Sequence, residues 1–256
     1  MTAKEKYTVR MKSLIGTRDE QQDFAFQSVT EKSVVAAVCD GMGGHESGKL
    51  ASVITIEKFK ELYYKKDPAE PLYDFYHKSV DILDELVFNL KNNQGGKLGA
   101  GTTFVAAAIE NNNLFWLSIG DSRLYILRGD EFVQVTRDHN YFMLLEQMFR
   151  EKEISRSQYQ AQADKGDALI SFIGMGGIEV MDINRLPFKL LQNDTVLLST
   201  DGLYKTLNDE EIKQCLRVKD AEEALNLLMT QVDKKARQFQ DNTTCVIIKY
   251  NGEAKL

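Results

Sequence analysis

Proline and cysteine are both scarce, with three of each among 256 residues. Average proline usage is ~5%, and so low a level removes the stiff connectors that hold separate domains apart. No Gly/Ser tract, single-sign charge run or internal repeat takes their place, so the chain reads as one domain over 1–256. Cys39, Cys215 and Cys245 lie far apart with no Cys-x-x-Cys spacing; they describe buried thiols in a reducing compartment rather than a disulfide framework. Histidine is limited to His45, His77 and His139 without a His-x-x-x-His pair, too few for a conventional zinc site. The longest apolar runs, Val34 to Cys39 and Phe104 to Ile109, are six residues each, whereas a membrane span needs ~20. Basic residues are in deficit, 32 Lys+Arg against 38 Asp+Glu for a net charge of −6. That balance argues against nucleic acid or an anionic membrane surface as partner. The polar N-terminus lacks the apolar core of a signal peptide, and a cytoplasmic location is expected.

What is present is a set of strand patterns in clusters, separated by helix patterns in pairs. Tyr7 to Leu14, Asp23 to Val29 and Ser33 to Cys39 read as strands, the last of them buried. Apolar residues then recur at three- and four-residue spacing from Glu46 to about Lys66 and from about Pro71 to Asn93, which predicts two amphipathic helices. Four strand-like runs follow between Thr102 and Val135, joined by turns too short for crossover helices, hence an antiparallel meander. Asn140 to Ala163 is charged and helix-prone. Strands are predicted again at Ile178 to Ile183, Thr195 to Thr200 and Thr244 to Tyr250, with helices at Asp209 to Leu216 and Ala221 to Gln240. Clustered strands and paired helices make the class α+β with a largely antiparallel core.

The recurring chemical feature is an aspartate where a buried strand ends: Val38-Cys39-Asp40-Gly41, Ile119-Gly120-Asp121-Ser122 and Ser199-Thr200-Asp201-Gly202, with Asp23 and Asp241 flanking strands from the other side. A single such Asp is a turn residue. Five of them, brought together, form an all-oxygen set whose mutual repulsion is relieved by hard cations such as magnesium or manganese. A competing reading is a phosphate-binding loop, because Gly43-Gly44-His45-Glu46-Ser47-Gly48-Lys49 fits seven positions of the Walker A pattern. The eighth should be Ser or Thr and is Leu50, and Asp40 places negative charge just before the loop.

Taken in order, these segments resemble the metal-dependent type-2C protein Ser/Thr phosphatases, the PPM family, in its bacterial branch. The matching pieces are Gly16-Thr17-Arg18 with Gln22-Asp23, Asp40-Gly41-Met42-Gly43-Gly44-His45, Gly99-Ala100-Gly101-Thr102-Thr103, Ile119-Gly120-Asp121-Ser122-Arg123, Thr136-Arg137-Asp138-His139, Ser199-Thr200-Asp201-Gly202-Leu203 and Asp241-Asn242-Thr243-Thr244. They span about Tyr7 to Tyr250. The resemblance implies a four-layer sandwich, two antiparallel β-sheets flanked by α-helix pairs, with a flap-like segment at about 140–168. It implies two manganese or magnesium ions per chain: Asp40 bridging both, Asp201 and Asp241 completing the first, Asp23 and the carbonyl of Gly41 serving the second. Asp121 corresponds to the holder of a third, weaker ion, with Asp138 as a helper nearby. Arg18 corresponds to the arginine that clamps the substrate phosphate, so Arg18 and Asp40 are the catalytic candidates. The implied activity is hydrolysis of phosphoserine and phosphothreonine by direct attack of a metal-bridging water. Phosphoproteins are its substrates, a cognate Ser/Thr kinase is its partner, and the chain acts as a monomer. The alternatives are a non-catalytic regulatory protein of the same fold and a P-loop nucleotide enzyme.

Three departures from the family pattern stand out. Gln22 replaces a common Glu. Met42 stands where animal members have a proton-donating His, which passes that role to a metal-bound water or to His45. Ser171-Phe172-Ile173-Gly174 replaces the usual Thr-Arg-Ala-Leu-Gly. In the flap segment Tyr141, Phe142, Phe149 and Tyr159 are read as packing residues, and His139 as structural.

Overall fold

The computed structural model describes residues 1–44, 46–235 and 239–252. After a helical turn, α1 (Ala3–Lys6), come β1 (Tyr7–Leu14), β2 (Asp23–Val29) and β3 (Ser33–Met42). Two long helices follow, α2 (Glu46–Lys65) and α3 (Leu72–Phe88). The meander is β4 (Gly101–Thr102), β5 (Phe104–Glu110), β6 (Asn113–Ile119), β7 (Arg123–Arg128) and β8 (Glu131–Gln134). Residues 140–168 hold α4 (Tyr141–Arg150) and α5 (Arg156–Gln162). The chain then runs through β9 (Asp182–Ile183), β10 (Phe188–Lys189), β11 (Thr195–Ser199), α6 (Asp201–Tyr204), α7 (Asp209–Leu216), α8 (Ala221–Lys235) and β12 (Thr243–Tyr250).

All strand pairings among the described residues are antiparallel, in two sheets ordered β1-β12-β11-β7-β8 and β10-β6-β5-β3-β2, with β4 on β3 and β9 on β6. The side-chain period of two sorts each strand between two cores. In β3 Val34, Ala36 and Val38 face the other sheet, as do Val105, Ala107 and Ile109 of β5, meeting Leu124, Ile126, Val196, Leu198, Val246 and Ile248. The alternate residues Val35, Ala37 and Cys39 join Ile56, Phe59, Phe75, Tyr76 and Leu83 of α2 and α3. On the opposite side Tyr125, Leu197, Cys245 and Ile247 pack under α7 and α8 through Ile212, Leu216, Leu225 and Leu228. Both faces of each sheet are thus covered, which is why β3 and β5 are near-continuous apolar runs. The result is the expected four layers, helix pair, sheet, sheet, helix pair.

Three local expectations differ. The buried stripe of α2 runs along Ala51, Ser52, Thr55, Ile56, Phe59 and Tyr63, while Leu50 is exposed; small residues face inward because the helix lies directly over β3. The second long helix stops at Phe88 rather than Asn93. The stretch expected as a strand over Ile178 to Ile183 pairs only at Asp182–Ile183, because the preceding turn is held by Asp84 of α3. That carboxylate accepts from the backbone N–H groups of Gly174 (2.7 Å), Gly176 (3.3 Å) and Gly177 (2.7 Å). The unusual Ser171–Gly174 segment finds its reason here. Ile173 is fully buried against α3 and pairs with Thr102 through two backbone hydrogen bonds.

Cys39, Cys215 and Cys245 are all buried and unbridged, as expected. No described helix is long and apolar enough to cross a membrane.

Candidate active site

The strand register assembles the site. Pairing of β2 with β3 sets Asp23 opposite Asp40. Asp121 follows Gly120 in the β6–β7 turn, Asp201 opens α6 where β11 ends, and Asp241 stands two residues before β12. Asp40 is fixed through its backbone: Thr103 Oγ1 accepts from its N–H at 2.9 Å, and its carbonyl accepts from the Thr103 N–H and the Thr102 hydroxyl, each at 2.9 Å. Thr103 Oγ1 also lies 2.7 Å from Ser122 Oγ, which ties the Asp40 strand to the Asp121 turn.

Two glycines allow elements to close on the site. A Cβ on Gly41 would strike the carbonyl of Gly48 in α2, and one on Gly202 would strike the carbonyl of Asn242. Substitution at either would push an aspartate-bearing segment away from the cluster. Gly48 is therefore spent on helix–strand packing and, with Lys49, lies inside α2, unlike the glycine of a phosphate-cradling loop.

The carboxylates act on one another electrostatically. Burial pushes Asp23 up to about 7, with Asp201 and Asp241 adding to it while Thr200 and Thr244 oppose. Burial, then Asp23, Asp201 and Asp121, raise Asp40 well above the usual carboxylate range. Asp121 is lifted to about 6 by burial and Asp201, against the opposing pull of Lys205. Asp23 Oδ2 accepts from Thr200 Oγ1 at 2.7 Å, but Asp23 Oδ1 and Asp201 Oδ1 are buried with no hydrogen-bond partner. Buried anionic oxygens without donors are costly, and an all-oxygen set with two such atoms fits a hard divalent cation. Among the described residues, however, no three acidic, imidazole or thiol groups are closed around a common point as a ready-made metal centre. Two carboxylates are instead engaged by cations of the chain: Asp201 Oδ2 lies 2.6 Å from Lys205 Nζ and Asp241 Oδ2 lies 2.7 Å from Arg18 Nη2.

Arg18 thus sits beside the cluster with its partner in Asp241, not in Asp19 or Glu20. It lines an open cleft of about 750 Å³ with Gln22, Gly43, Gly44, Ser47 and Asp241. A second cleft, about 710 Å³, opens beside α4 and is lined by Arg123, Asp138, Phe142, Arg150, Tyr204 and Lys205 among others. The N-terminal loop that carries Arg18 is anchored by Asn242. Its side chain accepts from the Gln22 N–H at 2.8 Å and donates to the carbonyls of Ile15 and Glu20.

The neighbours of the cluster are placed by their hydrogen bonds. Asp138 is gripped by both Arg123 Nε (2.9 Å) and Arg123 Nη2 (2.6 Å) and also accepts from Gln134, while its charge reaches Asp121. His139 is structural, as expected: it is fully buried, its Nδ1 accepts from the Gly120 N–H, and its own N–H donates back to the Gly120 carbonyl. That pair of bonds steadies the turn before Asp121. Phe149 of α4 packs on Tyr159 of α5 at 5.8 Å between ring centroids, as expected of packing residues. His45 lies outside the described residues. Sequence reading missed Lys205 and Asp84. The i, i+4 spacing of Asp201 and Lys205 was the available signal for the first, whereas nothing local pointed to the second.

With this geometry in view, comparison with known proteins is informative. The family model for protein phosphatase 2C matches residues 12–238. The chain is 27% identical over 225 residues to the serine/threonine phosphatase Stp of Listeria innocua, covering 86% of each. Among solved structures it is similar to the Streptococcus agalactiae serine/threonine phosphatase, with TM-score 0.81, 23% identity, and 96% of this chain and 100% of that one covered. It is also similar to the catalytic domain of the phosphatase PstP in complex with two manganese ions, with TM-score 0.76, 24% identity, and 96% and 99% covered.

Proposed function

The chain belongs to the protein phosphatase 2C family, in its bacterial type, and we propose that it is a metal-dependent hydrolase of phosphoserine and phosphothreonine in cytoplasmic phosphoproteins. Protein-serine/threonine phosphatase activity is its enzymatic class. Asp40, Asp201 and Asp241 would hold one ion, and Asp40, Asp23 and the Gly41 carbonyl a second. The observation that carries this reading is the pair of buried, unpartnered oxygens, Asp23 Oδ1 and Asp201 Oδ1, inside a set of mutually repelling carboxylates. Bound there, manganese or magnesium supplies Lewis acidity, which brings the pKa of a water to ~7 in favourable sites and offsets phosphate charge.

The chain's own residues do the rest. Arg18, on the rim of the open cleft, presents a planar fork suited to two phosphate oxygens and rests beside the cluster through one nitrogen on Asp241. Thr102 and Thr103 keep Asp40 from shifting, and Thr200 orients Asp23. Water attack without a phosphoenzyme agrees with the thiols. Burial raises Cys39, Cys215 and Cys245, so none is a ready nucleophile. A Ser/Thr kinase acting on the same proteins is the expected opposing partner, and one chain carries the whole site.

The test uses a phosphothreonine peptide and the metal-stripped protein. Turnover should be absent in EDTA and return with manganese or magnesium. Full activity after the metal is shown to be gone would overturn the metal reading, and no turnover with any divalent ion would favour the non-catalytic alternative.

A further inference from the structure

Lys205 is the fifth residue of the segment that Asp201 opens, and the one-turn helix α6 carries its ammonium back over the carboxylate. The Lys205 N–H donates to the Asp201 carbonyl at 2.9 Å, and Lys205 Nζ lies 2.6 Å from Asp201 Oδ2. Lys205 lines the second cleft together with Asp138 and Asp167, and its ammonium closes the corner beside Asp201. Its neighbour Tyr204 fixes that corner from below: the phenol donates to the Asp121 carbonyl at 3.0 Å, and the Arg123 guanidinium covers its ring at 3.4 Å.

A carboxylate shared by two cations offers one oxygen to each. In Asp201 the buried Oδ1 has no partner, whereas Oδ2 is taken by Lys205. We propose that Lys205 is a resident cation that stands in for a third metal ion between Asp121 and Asp201, so that the chain takes up two ions rather than three. This rests on the two-ion reading above and deepens it. A lysine held covalently in the corner carries one positive charge at no loss of translational freedom on binding. A weakly held divalent ion that must displace it loses both the Asp201 oxygen and the favourable field. Lys205 is a positioning residue on this account, since it acts on the ions through Asp201 and Asp121.

The experiment counts ions. Metal-free protein is dialysed against manganese up to millimolar free concentration, and bound ion is obtained from the loss of the free-manganese electron paramagnetic resonance signal. Wild type and Lys205→Arg should each bind two ions per chain. Lys205→Asn and Lys205→Gln should bind a third, more weakly than the first two, and adding Asp121→Asn to either should remove it again. The side chain of Lys205 is 43% exposed, so the neutral variants are expected to fold, and circular dichroism checks this. Three ions in wild type, or two in both neutral variants, would overturn the role of Lys205 while leaving the two-ion reading intact. No bound ion in any of the proteins would overturn the two-ion reading itself, and this inference with it.

Discussion

A carboxylate oxygen that is buried with no donor raises the free energy of the folded chain unless a cation reaches it. Asp23 Oδ1 and Asp201 Oδ1 are in that condition, and Asp40 is crowded by three other aspartates. Asp40→Asn and Asp201→Asn should each lower turnover more than tenfold, which is about 1.4 kcal/mol of barrier. Each also removes repulsion, so the metal-free stability measured by urea unfolding should hold or rise. A variant that keeps a tenth or more of the wild-type rate would not be an ion holder. Arg18 is bound to Asp241 and its side chain is 57% exposed, poised to exchange one carboxylate contact for phosphate oxygens. Arg18→Ala should raise KM for a phosphopeptide roughly ten- to hundredfold, more than it lowers kcat, because the fork grips ground state and transition state alike. Arg18→Lys should recover only part of this. A kcat/KM within about twofold of wild type in Arg18→Ala would make Arg18 a surface residue.

At the level of elements, the site depends on a relay that starts far from it. Asp84 of α3 holds the 174–177 turn, that turn places Ile173 against Thr102, and the Thr102 hydroxyl donates to the Asp40 carbonyl. The aspartate is buried, and hydrogen bonds to a charged acceptor contribute ~1.5–3 kcal/mol each. Asp84→Ala should therefore cost about 2–5 kcal/mol in urea unfolding, with Asp84→Asn intermediate because it keeps one acceptor. The folded fraction of Asp84→Ala should also turn over more slowly, through the loosened Thr102. A loss below ~0.5 kcal/mol would show that water replaces the carboxylate without penalty.

For the whole molecule, the raised aspartates set how stability responds to pH and metal. Asp23 at about 7 and Asp121 at about 6 bind protons in the folded state that they have lost in the unfolded chain. Between about pH 4 and 7 the native state thus holds more protons, and stability falls as pH rises. Carboxylates held low by hydrogen bonds and a neighbouring guanidinium act only at more acid pH; Asp182, which accepts from the backbone N–H, Nε and Nη2 of Arg137, is one. In EDTA the melting temperature should accordingly be higher at pH 5.5 than at pH 8. With saturating manganese the order should reverse, because ions compete with protons for the same oxygens. A metal-free melting temperature at pH 8 equal to or above that at pH 5.5 would contradict the crowding of the carboxylates.

Much of this protein is legible in local sequence because its signals are local. The continuous apolar run of β3 marks a strand covered on both faces, the short turns of the meander impose antiparallel pairing, and Asp-Gly at strand ends marks where buried β-structure stops. These patterns, read with the ordered motifs, led to the four-layer class and to Asp23, Asp40, Asp121, Asp201, Asp241 and Arg18 as candidates. Tertiary structure decided what depends on distant contacts. Whether five aspartates stand apart or repel one another is settled by the β2–β3 register and by Thr200 reaching Asp23 across 177 positions. That Asp138 turns to Arg123, that Arg18 turns to Asp241, and that Asp84 captures a turn 90 residues on follow from which charges burial leaves without water. The partners of Arg18 and Asp84 lie 223 and 90 positions away, beyond any local window, and Arg123 and Asp138, 15 apart, meet only through the pairing of their strands and turns.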